Sequence, residues 1–315
     1  MLLTRHLSKF YDTAAAVRDV DIYVPEGETC ALIGPNGAGK TTLLKMLAGL
    51  LRPTSGTIEV NRTDVSRDPK RLHETVGYVP DTFGLYDELS VAHFLDYFAR
   101  ANNIESAKVA KRIDDVLSLV GLTEKKRANV GSLSRGMRQR LVIAKTLLHA
   151  PKILLLDEPA SGLDPHARLD LSNLIKELAR IGTTMIVSSH ILTELADFST
   201  SVIIMERGRV VRAGNINQLV GELSQGTPVR LETLDAETAQ GIYAELNGRD
   251  DVIKIEIIEG AATIGTLDFS FTGTRRELAG LHREIVAKHA GVVSFYERRL
   301  TVEDLFMAQH ATAIN

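Results

Sequence analysis

Four short runs of consecutive apolar residues punctuate the first two thirds of the chain, at residues 30–33, 153–156, 184–187 and 202–205, and the stretches between them are amphipathic. Unbroken hydrophobicity over so few residues predicts strands covered on both faces, the pattern of a mostly parallel sheet flanked by helices. Between residues 90 and 150 the period lengthens to that of a helix, and residues 91–101, 109–120 and 138–149 predict three helices without an intervening strand. A helical insert of about residues 85–150 is therefore expected within the α/β domain. Residues 221–228 crowd Gly, Ser, Gln, Thr and Pro together, which predicts a linker. Beyond it Ile253, Ile255 and Ile257 alternate with Lys254 and Glu256, and Leu267, Phe269 and Phe271 alternate with Asp268 and Ser270, as half-buried strands do. Leu278, Leu281 and Ile285 mark one face of a helix over residues 275–289, and residues 235–246 predict another, giving a βαββαβ order. The expectation is an α/β domain over residues 1–222 and a small α+β, ferredoxin-like domain over residues 223–315.

At 315 residues two domains and a sizeable core are the natural expectation. With 44% hydrophobic and 24% charged residues the composition points neither to disorder nor to a fibre, and a net charge of -3 gives no general electrostatic reason to bind nucleic acid. Cys30, the single cysteine, excludes an intrachain disulfide framework and a thiolate zinc cluster and predicts a reducing compartment. The amino-terminal segment MLLTRHLSKFYD meets charge within a few residues, unlike a secretory leader. No apolar run approaches the ~20 residues that cross a bilayer. A cytoplasmic protein reaching the membrane only through a partner is expected.

Residues Gly34, Pro35, Asn36, Gly37, Ala38, Gly39, Lys40 and Thr41 fit G-x-x-x-x-G-K-[ST] between a predicted strand and a predicted helix over residues 43–50. A triphosphate needs several donors wrapped around its oxygens. Glycines let backbone N–H groups turn inward, and the following helix points its positive end at the anion. Lys40 adds a mobile positive charge, Thr42 continues the loop into the helix, and Thr41 can offer its hydroxyl to Mg²⁺, which takes only one or two protein oxygens. At residues 153–159 a buried strand ends in Asp157 and Glu158, and the carboxyl end of parallel strands is where α/β sheets open their ligand crevice. Asp157 is suited to hold Mg²⁺ and Glu158 to orient or deprotonate the water attacking the γ-phosphorus.

With Leu133, Ser134, Arg135, Gly136, Met137, Arg138, Gln139 and Arg140 the chain resembles the ATP-binding subunits of ABC transporters, since this segment is similar to their LSGGQ signature. Ser161, Gly162, Leu163 and Asp164 match the D-loop, His190 matches the switch histidine, and Tyr11 stands where the family stacks an aromatic ring on adenine. The likeness covers about residues 2–219 and implies a P-loop NTPase fold, ATP and Mg²⁺ as ligands, and a homodimer. In it, ATP is sandwiched between the phosphate loop of one subunit and the signature of the other, where Ser134 and the backbone near Gly136 would meet the γ-phosphate with Arg135 and Met137 beside them, Arg135 either helping to bind that phosphate or crowding the interface. His190 would sense that phosphate.

Two departures stand out: Asp81 occupies the place of the family's usual glutamine, with a contact to Mg²⁺ still open to it, and Arg135 and Met137 replace glycine and glutamine. Residues 227–310, with the segment 300–306, resemble the carboxy-terminal extension of ATPases serving ABC-2 type exporters. That resemblance implies an integral membrane permease as partner and a place on the inner face of the cell membrane. The alternative is a non-transport ABC ATPase acting on nucleic acid or the ribosome. Such proteins carry two ATPase domains or long coiled coils, and neither a repeat nor a heptad run occurs here. A regulatory module without turnover conflicts with Glu158 and His190 both being in place.

Overall fold

In the computed structural model, which describes residues 1–12, 14–65, 68–189, 195, 198–223, 226–258, 265–298, 300 and 304, the four apolar runs lie in one sheet. The chain divides into two compact units, Met1–Ile216 and Asn217–Asn315. The strands of the first unit are β1 (Leu2–Tyr11), β2 (Ala14–Val24), β3 (Thr29–Ile33), β4 (Ser55–Val60), β5 (Thr63–Asp64), β6 (Val76–Val79), β7 (Ile153–Leu156), β8 (Thr184–Ser189), β9 (Ser201–Glu206) and β10 (Arg209–Asn215). Six of them pair in the order β10-β9-β3-β8-β7-β6, parallel throughout except for β10 against β9. Every residue of β3, β7 and β8 is buried, which accounts for their unbroken apolar runs. Cys30 lies inside this sheet, and burial pushes its thiol up to about 12.

A second sheet, antiparallel and ordered β2-β1-β4-β5, has no counterpart among the strands that the hydrophobic pattern predicts. The reason lies in its irregular backbone. His6 and Asp19 take positive φ of 51° each, and the pairing of β1 with β2 slips three times, so the period-two alternation is broken within both strands. Leu7 and Val20 of this sheet share one core with Leu32, Leu155 and Ile186 of the parallel sheet and with Leu43, Leu44 and Leu47 of helix α1 (Lys40–Leu47).

The remaining helices of this unit include α2 (Pro69–Thr75), α3 (Val91–Ala101), α4 (Ser106–Leu119), α5 (Arg135–Leu147) and α6 (Pro165–Arg180). The helices α3 to α5 form the insert between β6 and β7 that the helical periodicity predicts. Ser90, Ser134 and Asp164 cap the first turns of α3, α5 and α6 with their side-chain oxygens. Capping moves the start of α5 to Arg135, three residues before the expected 138.

In the second unit β11 (Thr227–Thr233), β12 (Val252–Ile258), β13 (Gly265–Phe271) and β14 (Val292–Glu297) pair antiparallel in the order β12-β13-β11-β14, with helices Ala236–Leu246 and Arg275–Lys288 between them. This is the ferredoxin-like arrangement. Its own core joins Val229, Leu231, Ile242, Leu267, Phe269 and Leu281. Two local expectations are corrected. Lys254 has a φ of 53° and the β12–β13 register shifts between Ile253 and Glu256, so Ile253, paired with Ser270, falls on the opposite face from Ile255. The expected linker is also shorter than residues 221–228, because helix Ile216–Leu223 and strand β11 enter it from both sides. Among the described residues no helix is long and apolar enough to cross a membrane.

Candidate functional site

Strand β3 delivers the chain at the carboxyl edge of the parallel sheet, where the loop from Gly34 turns and becomes α1. Gly39 takes a φ of 104° at the helix N-cap, and a Cβ there would collide with the carbonyl oxygen of Ala16, so both conformation and space call for glycine. No side chain caps this helix and no acidic residue lies in its first turn. Its leading N–H groups and dipole are therefore available to an external anion.

Lys40 is buried, and its Nζ donates to the carbonyl oxygens of Gly34 at 2.7 Å and Pro35 at 3.4 Å and stands 3.4 Å from Glu158 Oε1. A cavity of about 400 Å³ opens over this group, lined by Asn36, Gly37, Ala38, Gly39, Lys40, Thr41 and Thr42 of the loop, with Ala16, Asp81, Glu158 and Ser161 opposite. The phosphate-loop residues and Glu158, distant in sequence, thus line the same cavity.

Asp157 emerges from β7 with no exposed surface. Its carboxylate accepts from Ser188 Oγ at 2.8 Å, Tyr78 Oη at 3.0 Å and Thr41 Oγ1 at 3.3 Å. Ser188 and Tyr78 come from β8 and β6, the strands on either side of β7, so the parallel register itself assembles these donors. Burial first, and then the carboxylate of Asp157, push the Tyr78 phenol above the ordinary tyrosine range, which keeps it a proton donor. Ser188 Oγ also accepts from the backbone N–H of Glu158 at 2.9 Å. Glu158 itself has a φ of 46°, a conformation that costs a non-glycine residue about 1–3 kcal/mol and is held by this hydrogen bond and the Lys40 contact.

The oxygen-rich pair of Thr41 and Asp157 fits a hard divalent cation that keeps most of its water. Among the described residues no group of three or more His, Cys, Asp or Glu forms a metal cage, and Mg²⁺ needs none. Asp81 lines the cavity, and its Oδ1 accepts from the N–H of Thr82 at 2.7 Å, which orders its own loop.

The signature residues lie elsewhere on the same unit. Ser134 Oγ accepts from Met137 N at 3.3 Å, and Gly136 is buried against α6, where an added Cβ would come within 2.6 Å of Ala167 Cβ. The guanidinium of Arg135 turns toward its own D-loop and donates to the carbonyl of Ser161 at 3.1 Å. Asp164 Oδ1 accepts from Ala167 N at 2.9 Å and serves as the cap of α6. Tyr11 is half exposed near the turn between β1 and β2, with Lys9 Nζ 5.3 Å from its ring, and from this hairpin it is Ala16 that reaches the cavity wall. His190 lies outside the described residues.

Sequence reasoning missed Tyr78, Ser188, Ala16 and Ser161 as site components. Ser188 carried a usable signal, a hydroxyl at the carboxyl end of an apolar run. Ser161 was in reach only through its place in the D-loop match, and Tyr78 and Ala16 carried no signal, because nothing local to them announces chemistry.

The family model described as ABC transporter matches residues 17–161. An uncharacterised ABC transporter ATP-binding protein of Bacillus subtilis, YxlF, is 38% identical over 219 residues, which are 70% of this chain and 72% of that protein. The linearmycin resistance ATP-binding protein LnrL of the same organism is 27% identical over 307 residues, 98% of this chain and 97% of its own. Among solved structures, a dimeric ATP-binding cassette in a post-hydrolysis state, bound to ADP and Pi, matches with a TM-score of 0.61 at 25% identity, over 68% of this chain and 98% of that one. A phosphate loop facing an acidic strand end, on a fold shared with these cassettes, makes this chain a member of the ABC transporter ATP-binding family and an ATPase.

Proposed function

We propose that the chain powers a separate ABC-2 type membrane permease that exports a drug, lipid or other amphipathic molecule, and that it works as a homodimer on the inner face of the membrane. The observation that carries this reading is the match to the linearmycin resistance protein, which runs through both units and not the ATPase unit alone. The dimer of the related cassette supports the same assembly here, with ATP between residues 34–41 of one copy and Ser134 and Gly136 of the other.

In this mechanism the β- and γ-phosphate oxygens take over the donors that the loop and α1 present, and Lys40 exchanges its loop carbonyls for phosphate. Thr41 and Asp157 would hold Mg²⁺, which when bound neutralises charge on the phosphates. Ser188, Tyr78 and Thr41 donate to the Asp157 carboxylate from three sides of the strand end and fix its direction. Glu158 Oε1 orients the attacking water and accepts its proton, while Lys40 beside it balances the charge.

Substituting Glu158→Gln keeps the shape and removes the base. The expected result is unchanged ATP binding and turnover slowed by about 10²–10⁴-fold. Wild-type turnover in this variant would remove Glu158 from the mechanism. For the transport role, co-purification of the full-length protein with a multi-span permease is the expected outcome, and recovery with ribosomes or nucleic acid instead would overturn it.

A further inference from the structure

Arg135 stands where the signature of related cassettes carries a small residue, and its position in the fold gives it a task. It is the first residue of α5, directly after the Ser134 cap, and its guanidinium donates to the carbonyl of Ser161 at 3.1 Å. The same group lies flat against Gly162, whose φ is 68°. A Cβ at that glycine would fall 2.6 Å from the guanidinium carbon, so the loop accommodates this arginine only because residue 162 has no side chain.

Ser161 is the hinge of the arrangement. Its N–H donates to the carbonyl of Glu158 at 3.0 Å, while its carbonyl receives Arg135. It also lines two cavities at once, the nucleotide cavity with Lys40 and Glu158 and a second of about 580 Å³ with Asp81, Arg135 and Arg138. Two hydrogen bonds therefore run from Glu158 to the start of the signature helix. One residue further along that helix, Gly136 rests on Ala167 of α6, the helix that the same loop leads into. A displacement of Glu158 on meeting a γ-phosphate would be passed through Ser161 to the tip of α5.

We propose that Arg135 is a positioning residue that clips the signature helix to the loop after Glu158, so that occupancy of one nucleotide site sets the geometry of the signature the same subunit offers to its twin. This rests on the dimer reading given above. Arg135 serves its own subunit's loop rather than the partner's phosphate, and its consequence is cooperativity between the two sites. Lysine can supply the hydrogen bond to Ser161 but not the flat cover over Gly162, because its ammonium is a point charge on a flexible stem.

The test measures ATPase rate against ATP concentration for full-length wild type, Arg135→Gly and Arg135→Lys. Wild type is expected to be cooperative. In Arg135→Gly the Hill coefficient should fall to about one and kcat drop about tenfold, the scale of one hydrogen bond to a charged group, with half-saturation moving less than about twofold. Arg135→Lys should recover part of kcat. Gly162→Ala places a methyl where the guanidinium lies, and the same loss of cooperativity is expected of it should Arg135→Gly fail to fold.

A non-cooperative wild type, or an Arg135→Gly protein that keeps wild-type cooperativity, overturns the proposal. So does a raised half-saturation with cooperativity intact, which is what a direct phosphate contact would give. Light scattering of Glu158→Gln with Mg-ATP separates the two layers. Without a dimer there, the dimer reading falls and this proposal with it, whereas a dimer together with a cooperative Arg135→Gly sinks the Arg135 role alone.

Discussion

Asp157 is the proposed Mg²⁺-holding carboxylate, fully buried and surrounded by three hydroxyl donors. Tyr78 reaches it from β6 with a phenol that burial and the carboxylate together hold protonated. Removing that hydroxyl in Tyr78→Phe leaves ring and packing in place and deletes one donor. The Mg²⁺ concentration for half-maximal ATPase should rise about fivefold, equivalent to ~1 kcal/mol for one hydrogen bond, while ATP binding measured without metal stays unchanged. An unaltered Mg²⁺ titration would show that Ser188 and Thr41 alone orient the carboxylate. Glu158 shows the complementary situation, a residue held at a φ of 46° next to the cavity. Its strain belongs to the site, since the hydroxyl of Ser188 that orders Asp157 also fixes the Glu158 backbone.

At the scale of elements, the site depends on two helix starts treated in opposite ways. The start of α1 carries no side-chain cap and no acidic residue in its own first turn, which leaves its N–H groups open to an anion, whereas α5 is capped by Ser134 and pressed against α6. Gly136→Ala tests that contact. A methyl 2.6 Å from Ala167 Cβ forces the helices apart, and overpacking of this kind costs about 1–3 kcal/mol. A lower thermal midpoint and a weakened Mg-ATP dimer in the Glu158→Gln background are expected, and a variant with both unchanged would show that the α5–α6 contact yields freely. The elements also show where pattern reading works. Strands buried on both faces announced themselves by unbroken apolar runs, and helices α3 to α5 by their period. Strands β1 and β2 did not, since the positive φ at His6 and Asp19 breaks the alternation from which strands are recognised, while β12 was read as a strand and the positive φ at Lys254 changed only the face of Ile253.

Among the described residues, a hydrophobic core containing Leu43, Leu155 and Ile186 lies in the first unit and another containing Leu231, Ile242 and Leu267 in the second. Every residue lining the nucleotide cavity belongs to the first unit. Calorimetry should therefore resolve two unfolding transitions, and Mg-ATP at about 100 times its Kd should raise only the first unit's stability, by about 2.7 kcal/mol. A single transition shifted as a whole by nucleotide would refute that independence.

Taken alone, the sequence determined the phosphate loop, the acidic strand end, the helical insert and the βαββαβ order of the second unit. Each depends on residues close together in the chain, whose spacing is dictated by one turn of loop or helix. Only the tertiary structure decided that Tyr78 and Ser188 converge on Asp157, that Ala16 and Ser161 close the cavity, and that Arg135 folds onto its own D-loop. These juxtapositions arise from the lateral order of strands in the sheet and from helix-on-helix packing. Both are set by the balance of burial over the entire core, which no local stretch of residues records.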